Sequence, residues 1–243
     1  MTVSLNRPLI YPDSDGQPMA DNTKQFRWIV LLKENLECLF APDPQVFVAG
    51  DLLWYPVEGH PETRVAPDAM VVFGCPKGDR GSYRQWEENN LAPQVVFEVL
   101  SPGNTLKEMA KKQQFYDRYG VEEYYLYDPD RNDLTGFRRI NGQLDVIEEM
   151  SGWVSPRLGI RFALTETDLE VYYPDGRRFL TTVELAQQVE QAQQQAAQAQ
   201  QQAAQAQQQA AQAQQQAAQA QQQANRLAAQ LRDLGVEPEG ESL

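Results

Sequence analysis

Ala92–Pro129, APQVVFEVLSPGNTLKEMAKKQQFYDRYGVEEYYLYDP, reads as strand, loop, helix and strand in that order. Gln94–Leu100 is a short apolar run rich in β-branched residues, the pattern of a strand buried on both faces. One residue in it is out of place. Glu98 is a carboxylate set among Val95, Val96, Phe97, Val99 and Leu100. Burying an ionised carboxylate without a partner costs several kcal/mol or drives it to take up a proton. A partner, a cation or a water-filled cleft is therefore expected beside it.

The helix that follows has a start and a stop. Thr105 and Glu108 have capping-box spacing, and Gly120 offers the left-handed residue that ends helices, so a helix is expected over about 106–119. Met109, Lys112, Phe115, Tyr116 and Tyr119 share one stripe; Lys107, Lys111, Gln114 and Arg118 share the other. The first stripe has to face the sheet, which turns Lys112 inward and Lys111 outward. Val121–Tyr127 reads as a second strand closed by Asp128–Pro129. Strand, crossover helix and strand imply a parallel pair. An inward lysine and an inward glutamate would then meet at the carboxyl end of the first strand, where open α/β sheets place their sites.

Outward from this unit, residues 1–22 are rich in Pro, Asp, Ser and Gly and read as an arm without its own core. Thr23–Phe40 reads as a helix with Phe26, Ile29, Val30, Lys33 and Leu36 or Glu37 on one face, stopped by Ala41–Pro44. Val46–Tyr55 and Arg64–Phe73 are two strand candidates, the second interrupted by Pro67–Asp68. The sole histidine, His60, lies in the turn between them and reads as a solvated residue. Alone, Asp68 reads as a turn acid. In the polar stretch Gly74–Pro93, the bases Lys77, Arg80 and Arg84 interleave with Tyr83 and Trp86. That cluster suits contact with a phosphate backbone, although a solvated loop is the plainer reading. Leu134–Ile140 and Gln143–Glu149 flank Asn141–Gly142, a strong hairpin signal, and Asp168–Tyr173 with Arg177–Leu180 suggests a second hairpin. Both look like extensions of the sheet.

From Gln191 to Asn225 the chain has no charge and consists almost wholly of Ala and Gln in a repeat of seven, QAQQQAA. With Ala196 at position a, Val189, Ala203, Ala210, Ala217, Ala224 and Leu231 share its seam. Position d then holds Leu185, Ala192, Ala199, Ala206, Ala213, Ala220, Leu227 and Leu234. Residues 181–235 are therefore expected to form a long coiled-coil helix that self-associates weakly into a homo-oligomer, with 236–243 as a flexible end. A fluctuating Gln-rich linker is the alternative.

The 243 residues carry a net charge of −13. Six acids and two bases lie beyond residue 180, leaving 28 acids against 19 bases before it. A protein that grips nucleic acid is usually basic over its binding face, so any grip on phosphates here needs a local patch or a metal ion held by the acids. The two cysteines, Cys38 and Cys75, lack metal-type spacing and suggest a reducing compartment. No apolar run is long enough to span a membrane, and the amino terminus lacks a secretion pattern, so the cytoplasm is the expected address.

Taken together, Asp68, Glu98 and Lys112 resemble the PD-(D/E)XK nuclease superfamily and, more specifically, the Uma-two family of restriction endonucleases. The resemblance rests on Ala66-Pro67-Asp68, on Val96-Phe97-Glu98-Val99-Leu100-Ser101-Pro102, and on Lys112 with Tyr116, Gly120-Val121, Glu123-Tyr124 and Asp128-Pro129. It covers roughly residues 20–180. It implies an α/β (α+β) fold with a restriction-endonuclease-like mixed β-sheet core flanked by helices, occupying 23–180. It also implies an endonuclease that hydrolyses phosphodiester bonds in DNA with Mg²⁺, or Mn²⁺ in its place. Asp68, Glu98 and the Val99 carbonyl would be the metal ligands, and Lys112 the group that orients water or stabilises developing charge. Glu34, which like Glu37 reads as an ordinary surface acid on its own pattern, and Glu108, the capping-box acid, are accessory candidates beside this set. One departure stands out. The superfamily's common spacing puts the lysine two residues after the second acid, where this chain has Leu100; in the resembling family it comes from the next helix. A Glu98–Lys112 ion pair without catalysis, in a binding or assembly module gathered by the tail, is the rival reading, and a nuclease acting on RNA or a small nucleotide is a third.

Overall fold

The computed structural model describes residues 9–16 and 18–233. Residues 1–8 and 17 of the expected arm, Leu234 of the heptad seam and the expected flexible end 236–243 lie outside the described residues. The described residues divide into two compact units, with the boundary between Thr182 and Val183.

The first unit is built on a six-stranded mixed sheet. In chain order come α1 (Thr23–Leu39), β1 (Val46–Ala49), β2 (Trp54–Tyr55), β3 (Ala69–Phe73), β4 (Tyr83–Arg84) and β5 (Val95–Val99). They are followed by α2 (Leu106–Arg118), β6 (Glu123–Asp128), β7 (Asp133–Ile140), β8 (Gln143–Val146), β9 (Arg161–Leu164) and β10 (Leu169–Tyr172). The main sheet runs β1-β3-β5-β6-β7-β8. The expected crossover is present: β5 and β6 are parallel, with Glu98 opposite Leu126, and every other pair in this sheet is antiparallel. Asn141 and Gly142, at φ 51° and 90°, make the tight hairpin between β7 and β8.

Strand alternation divides the core between the two faces. Val46, Val48, Ala69, Val71, Val95, Phe97 and Val99 pack with Trp28, Ile29, Leu32 and Leu36 of α1 and with Phe162 and Val171 of β9 and β10. Phe47, Met70, Val72, Val96 and Tyr124 pack on the other face with Trp54 and with Tyr116 of α2. Glu98 and Asp68 follow the phase of Val96 and Met70, so they belong to the α2 face.

Four expectations need correcting. The run Val46–Tyr55 is two strands, because Asp51 takes a left-handed φ of 48° between them. The buried face of α1 is Gln25, Trp28, Ile29, Leu32, Asn35 and Leu36, while Phe26 is 49% exposed. The shift has a polar cause: Asn35 caps Leu180 in both directions and accepts from the Tyr173 hydroxyl at 2.8 Å, so both its amide and its position are fixed by hydrogen bonds. Leu169–Tyr172 pairs with β9 in a separate two-stranded sheet, so it does not extend the main one. Its expected partner near Arg177–Leu180 contributes one bridge, Tyr172 to Arg178. Finally, Tyr83 is fully buried, donating to the Leu91 carbonyl at 2.8 Å, and is not a surface ring.

From Val183 onward the second unit is the helix α3 (Thr182–Asp233), a single helix of 52 residues with no buried residue.

Candidate active site

Three elements deliver the site. β5 carries Glu98 in its only charged position. The entry to β3 carries Asp68, placed one residue before the strand where Pro67 has no N–H to give to a ladder. α2 carries Lys112 on the stripe that includes Tyr116. This helix is started by Thr105, whose hydroxyl accepts from the Glu108 N–H at 3.2 Å, and is followed by Gly120 at φ 91°. Glu108 completes no reciprocal box; its carboxylate is met by the Asn104 side-chain amide at 3.4 Å.

Glu98 is 3% exposed and both its oxygens are occupied. Lys112 Nζ lies 2.8 Å from Oε2, and the Tyr116 hydroxyl donates to Oε1. Lysine and tyrosine stand one helical turn apart, so a single i, i+4 pair on α2 clamps the carboxylate. Asp68 is also buried, and its Oδ2 accepts the Val99 N–H at 2.6 Å. The carbonyl of that same residue accepts from Gln25 Nε2 of α1 at 2.9 Å. Gln25 Oε1 in turn accepts the Asp21 N–H at 2.8 Å. One residue of β5 thereby joins the acid before β3 to α1 and the arm.

The electrostatics follow from this crowding. Burial, and then the Glu98 charge, push the Asp68 carboxyl well above its ordinary pKa, against the opposing pull of Lys112 and the Val99 N–H. Burial would lower the Lys112 ammonium, but the charges of Glu98 and Asp68 outweigh it and hold the pKa above its usual value. Burial and Glu98 push the Tyr116 phenol well up, so it stays a neutral donor. Asp51 is raised too, by burial and then by Asp15, with Lys112 acting the other way.

Asp68 and Lys112 border a cavity of about 470 Å³, together with Gln25, Asp51, Glu108 and Asp15 of the arm. Among the described residues no three Asp, Glu, His or Cys side chains gather as a ready-made metal cage. Sequence reasoning missed Gln25, Asp51 and the arm. Gln25 was hidden by its polarity in an apolar helix face, and Asp51 by lying inside what read as one strand. The other candidates fall elsewhere. Lys77 pairs with Glu37 at 3.0 Å, Arg84 with Glu87 at 3.3 Å and Glu34 with Lys33 at 3.0 Å, and none of these residues borders the cavity. Arg80 is committed to the fold: it binds Glu88 at 2.6 Å and stacks 4.2 Å above the Phe47 ring. Among the described residues no helix is long and apolar enough to cross a membrane.

No curated protein matches the sequence. Among solved structures, a putative nuclease belonging to DUF820 from Anabaena variabilis aligns with 19% identity and a TM-score of 0.41, over 58% of this chain and 74% of that one. The profile of the Uma2 family, described as "Putative restriction endonuclease", matches residues 15–171, well over half of the sequence, and the chain belongs to that family.

Proposed function

We propose that the protein is a metal-dependent endonuclease that hydrolyses phosphodiester bonds in DNA, with Asp68, Glu98 and Lys112 as its working groups. One observation carries the reading. Two acids and an ammonium, delivered by three separate elements, meet at the carboxyl end of β5, and Asp68 and Lys112 open onto a cavity. Membership of a restriction-endonuclease family supports the reaction class.

The donor set fits a hard divalent ion. Mg²⁺ takes oxygen ligands and commonly uses only one or two protein carboxylates, the rest being water. The mutual repulsion of Asp68 and Glu98 is what such a cation would relieve. Asp68, Glu98 and the Val99 carbonyl would hold Mg²⁺ or Mn²⁺, with Asp51, which borders the cavity together with Asp68, as a further oxygen donor. Bound there, the ion would supply hydroxide at neutral pH and neutralise charge on the phosphoryl oxygens.

The protein's own groups set the geometry. Lys112 spends one N–H on Glu98 and keeps two donors, enough to orient a water or to meet charge developing on a phosphate oxygen. Tyr116 fixes the second Glu98 oxygen, so the carboxylate cannot swing. Gln25 fixes the Val99 carbonyl, and the Val99 N–H fixes Asp68. Lys77 and Arg84 are the candidates for phosphate contact away from the chemistry; the guanidinium of Arg80 is already engaged. The expected address is the cytoplasm.

A second reading, a nuclease fold that binds without turnover, is favoured by the occupation of both Glu98 oxygens. Plasmid incubated with the purified protein and Mg²⁺ or Mn²⁺ separates the two. Nicking that disappears in Asp68→Asn and Lys112→Met supports the enzyme. Magnesium uptake by calorimetry without nicking supports the silent module, and equal cleavage by all three proteins identifies a contaminant.

A further inference from the structure

Asp15, Asp21, Asp51, Asp68 and Glu108 border the cavity, against two cations, Lys112 and Arg64. A phosphodiester carries its own negative charge, so such a cavity repels it unless cations meet it. Lys112 is committed in part to Glu98, and Lys77, Arg80 and Arg84 pair with acids and do not border the cavity. Arg64 stands apart from all of them. It is half-buried, its Nη1 donates to the Pro61 carbonyl at 3.1 Å, and its guanidinium carbon lies 6.0 Å from the centre of the Tyr55 ring. Both partners are neutral, and among the described residues no carboxylate forms an ion pair with it. We propose that Arg64 is a phosphate-binding residue, whose guanidinium grips the DNA backbone at a phosphate next to the one cleaved. The inference rests on the nuclease reading of the cavity.

The backbone fixes where this residue stands. Trp54 and Val65 exchange two hydrogen bonds, at 2.8 and 3.2 Å, and the Asp51 N–H donates to the Pro67 carbonyl at 3.1 Å. The stretch that leads from Arg64 into Asp68 is thereby pinned to the segment that carries Asp51. Arg64 precedes Asp68 by four residues, which span no more than about 14 Å. It is held at a set distance from the acid, on the same cavity, and takes no part in the pairing of Glu98 with Lys112 and Tyr116. That separation suits a phosphate neighbouring the one at the acids. The Pro61 carbonyl takes one of the five guanidinium N–H groups and leaves four, enough for the two parallel bonds by which arginine holds a phosphate. A neutral anchor also leaves the positive charge in place, where a carboxylate partner would have cancelled it.

The test compares the full chain with Arg64→Met, which keeps an apolar stem for the Tyr55 ring, and with Arg64→Lys. Binding is read by fluorescence anisotropy on a labelled DNA duplex with Ca²⁺ present to neutralise the acids, and cleavage on the same duplex in Mg²⁺. Arg64→Met should weaken binding about tenfold, equally on unrelated sequences, the loss of one charge-assisted contact. The slope of log affinity against log salt should become shallower by about one, because one phosphate contact fewer releases counterions. Arg64→Lys should regain part of both. In cleavage, KM should rise about tenfold with kcat changed by less than about twofold. Unchanged affinity and slope in Arg64→Met would overturn the inference, whether or not the duplex is cut. A loss of affinity with the slope unchanged would mark a structural role and overturn it too, as would a fall in kcat at constant KM. A wild type that binds through Arg64 without cutting would remove the nuclease reading alone, and a wild type that does not bind the duplex would remove both.

Discussion

Glu98 and Glu123 are buried acids on neighbouring parallel strands, 3% and 2% exposed, and the sequence presents both inside runs that read as strands. Their surroundings differ in kind. Glu123 is met by neutral donors: the Ser155 hydroxyl, the Tyr125 hydroxyl at 2.9 Å and the Arg157 N–H at 2.8 Å. The Arg157 guanidinium turns to Glu122 instead. Glu98 has an ammonium, a phenol, and a second buried acid in Asp68, whose proton affinity it raises. A buried carboxylate is therefore not a site in itself. Satisfied by neutral donors it anchors a loop; paired with a cation beside a like charge, it stores an electrostatic tension that a metal ion can release.

The largest expected effect is on turnover. Glu98→Gln or Lys112→Met should lower plasmid nicking by about 10²–10³-fold, the usual cost of losing a preorganised electrostatic group. Glu123→Gln should leave the rate within the same order of magnitude. An equal loss at both positions would erase the distinction between the two acids. The next effect is on stability, measured by urea unfolding in chelator. Glu98→Ala strands the Lys112 ammonium and should cost about 3–5 kcal/mol. Glu123→Ala strands neutral donors and should cost about 1–3 kcal/mol.

The two glutamates also show what sequence could and could not give. The crossover unit was legible because apolar period, capping residue and terminal glycine all agree: α2 spans Leu106–Arg118, and Lys112 lies on the sheet side with Tyr116. The approach of Lys112 to Glu98 follows from those patterns. Asp68 was legible only as part of a joint pattern, since a Pro-Asp pair alone marks a turn. Gln25 and Asn35 were not legible, because apolar periodicity assigns a polar residue to the surface unless its hydrogen-bond partner is known. That partner is Val99, 74 residues away, in one case and Leu180, 145 away, in the other. The strand β9 escaped for a similar reason: Arg161–Leu164 is four residues long and acquires its identity only by pairing with β10.

A smaller effect compares one hydroxyl at each acid. Ser155→Ala removes a donor to Glu123 and the acceptor of the Leu158 N–H, and should cost about 1–3 kcal/mol with nicking unchanged. Tyr116→Phe removes a donor to Glu98, which keeps Lys112, and should cost about 1 kcal/mol while slowing nicking several-fold. If Ser155→Ala slowed the reaction as much as Tyr116→Phe, the second acid would have to be moved into the site.

The smallest effect has the opposite sign. The folded-state pKa of Asp68 lies above its unfolded value of 3.8. Its protonated form is therefore favoured by folding, a stabilisation fully present below the unfolded pKa and lost as pH rises through the folded one. At neutral pH in chelator the ionised Asp68 weakens the fold. Asp68→Asn keeps an oxygen for the Val99 N–H but cannot ionise, so it should be more stable than the wild type by about 1 kcal/mol at pH 7. The gap should close as pH falls towards 4. Adding Mg²⁺ should stabilise the wild type and not the variant. Asp68→Asn less stable at neutral pH would show that Lys112 compensates both acids in full, and the contrast with Glu123 would then be one of partners only, with no tension left for a metal to relieve.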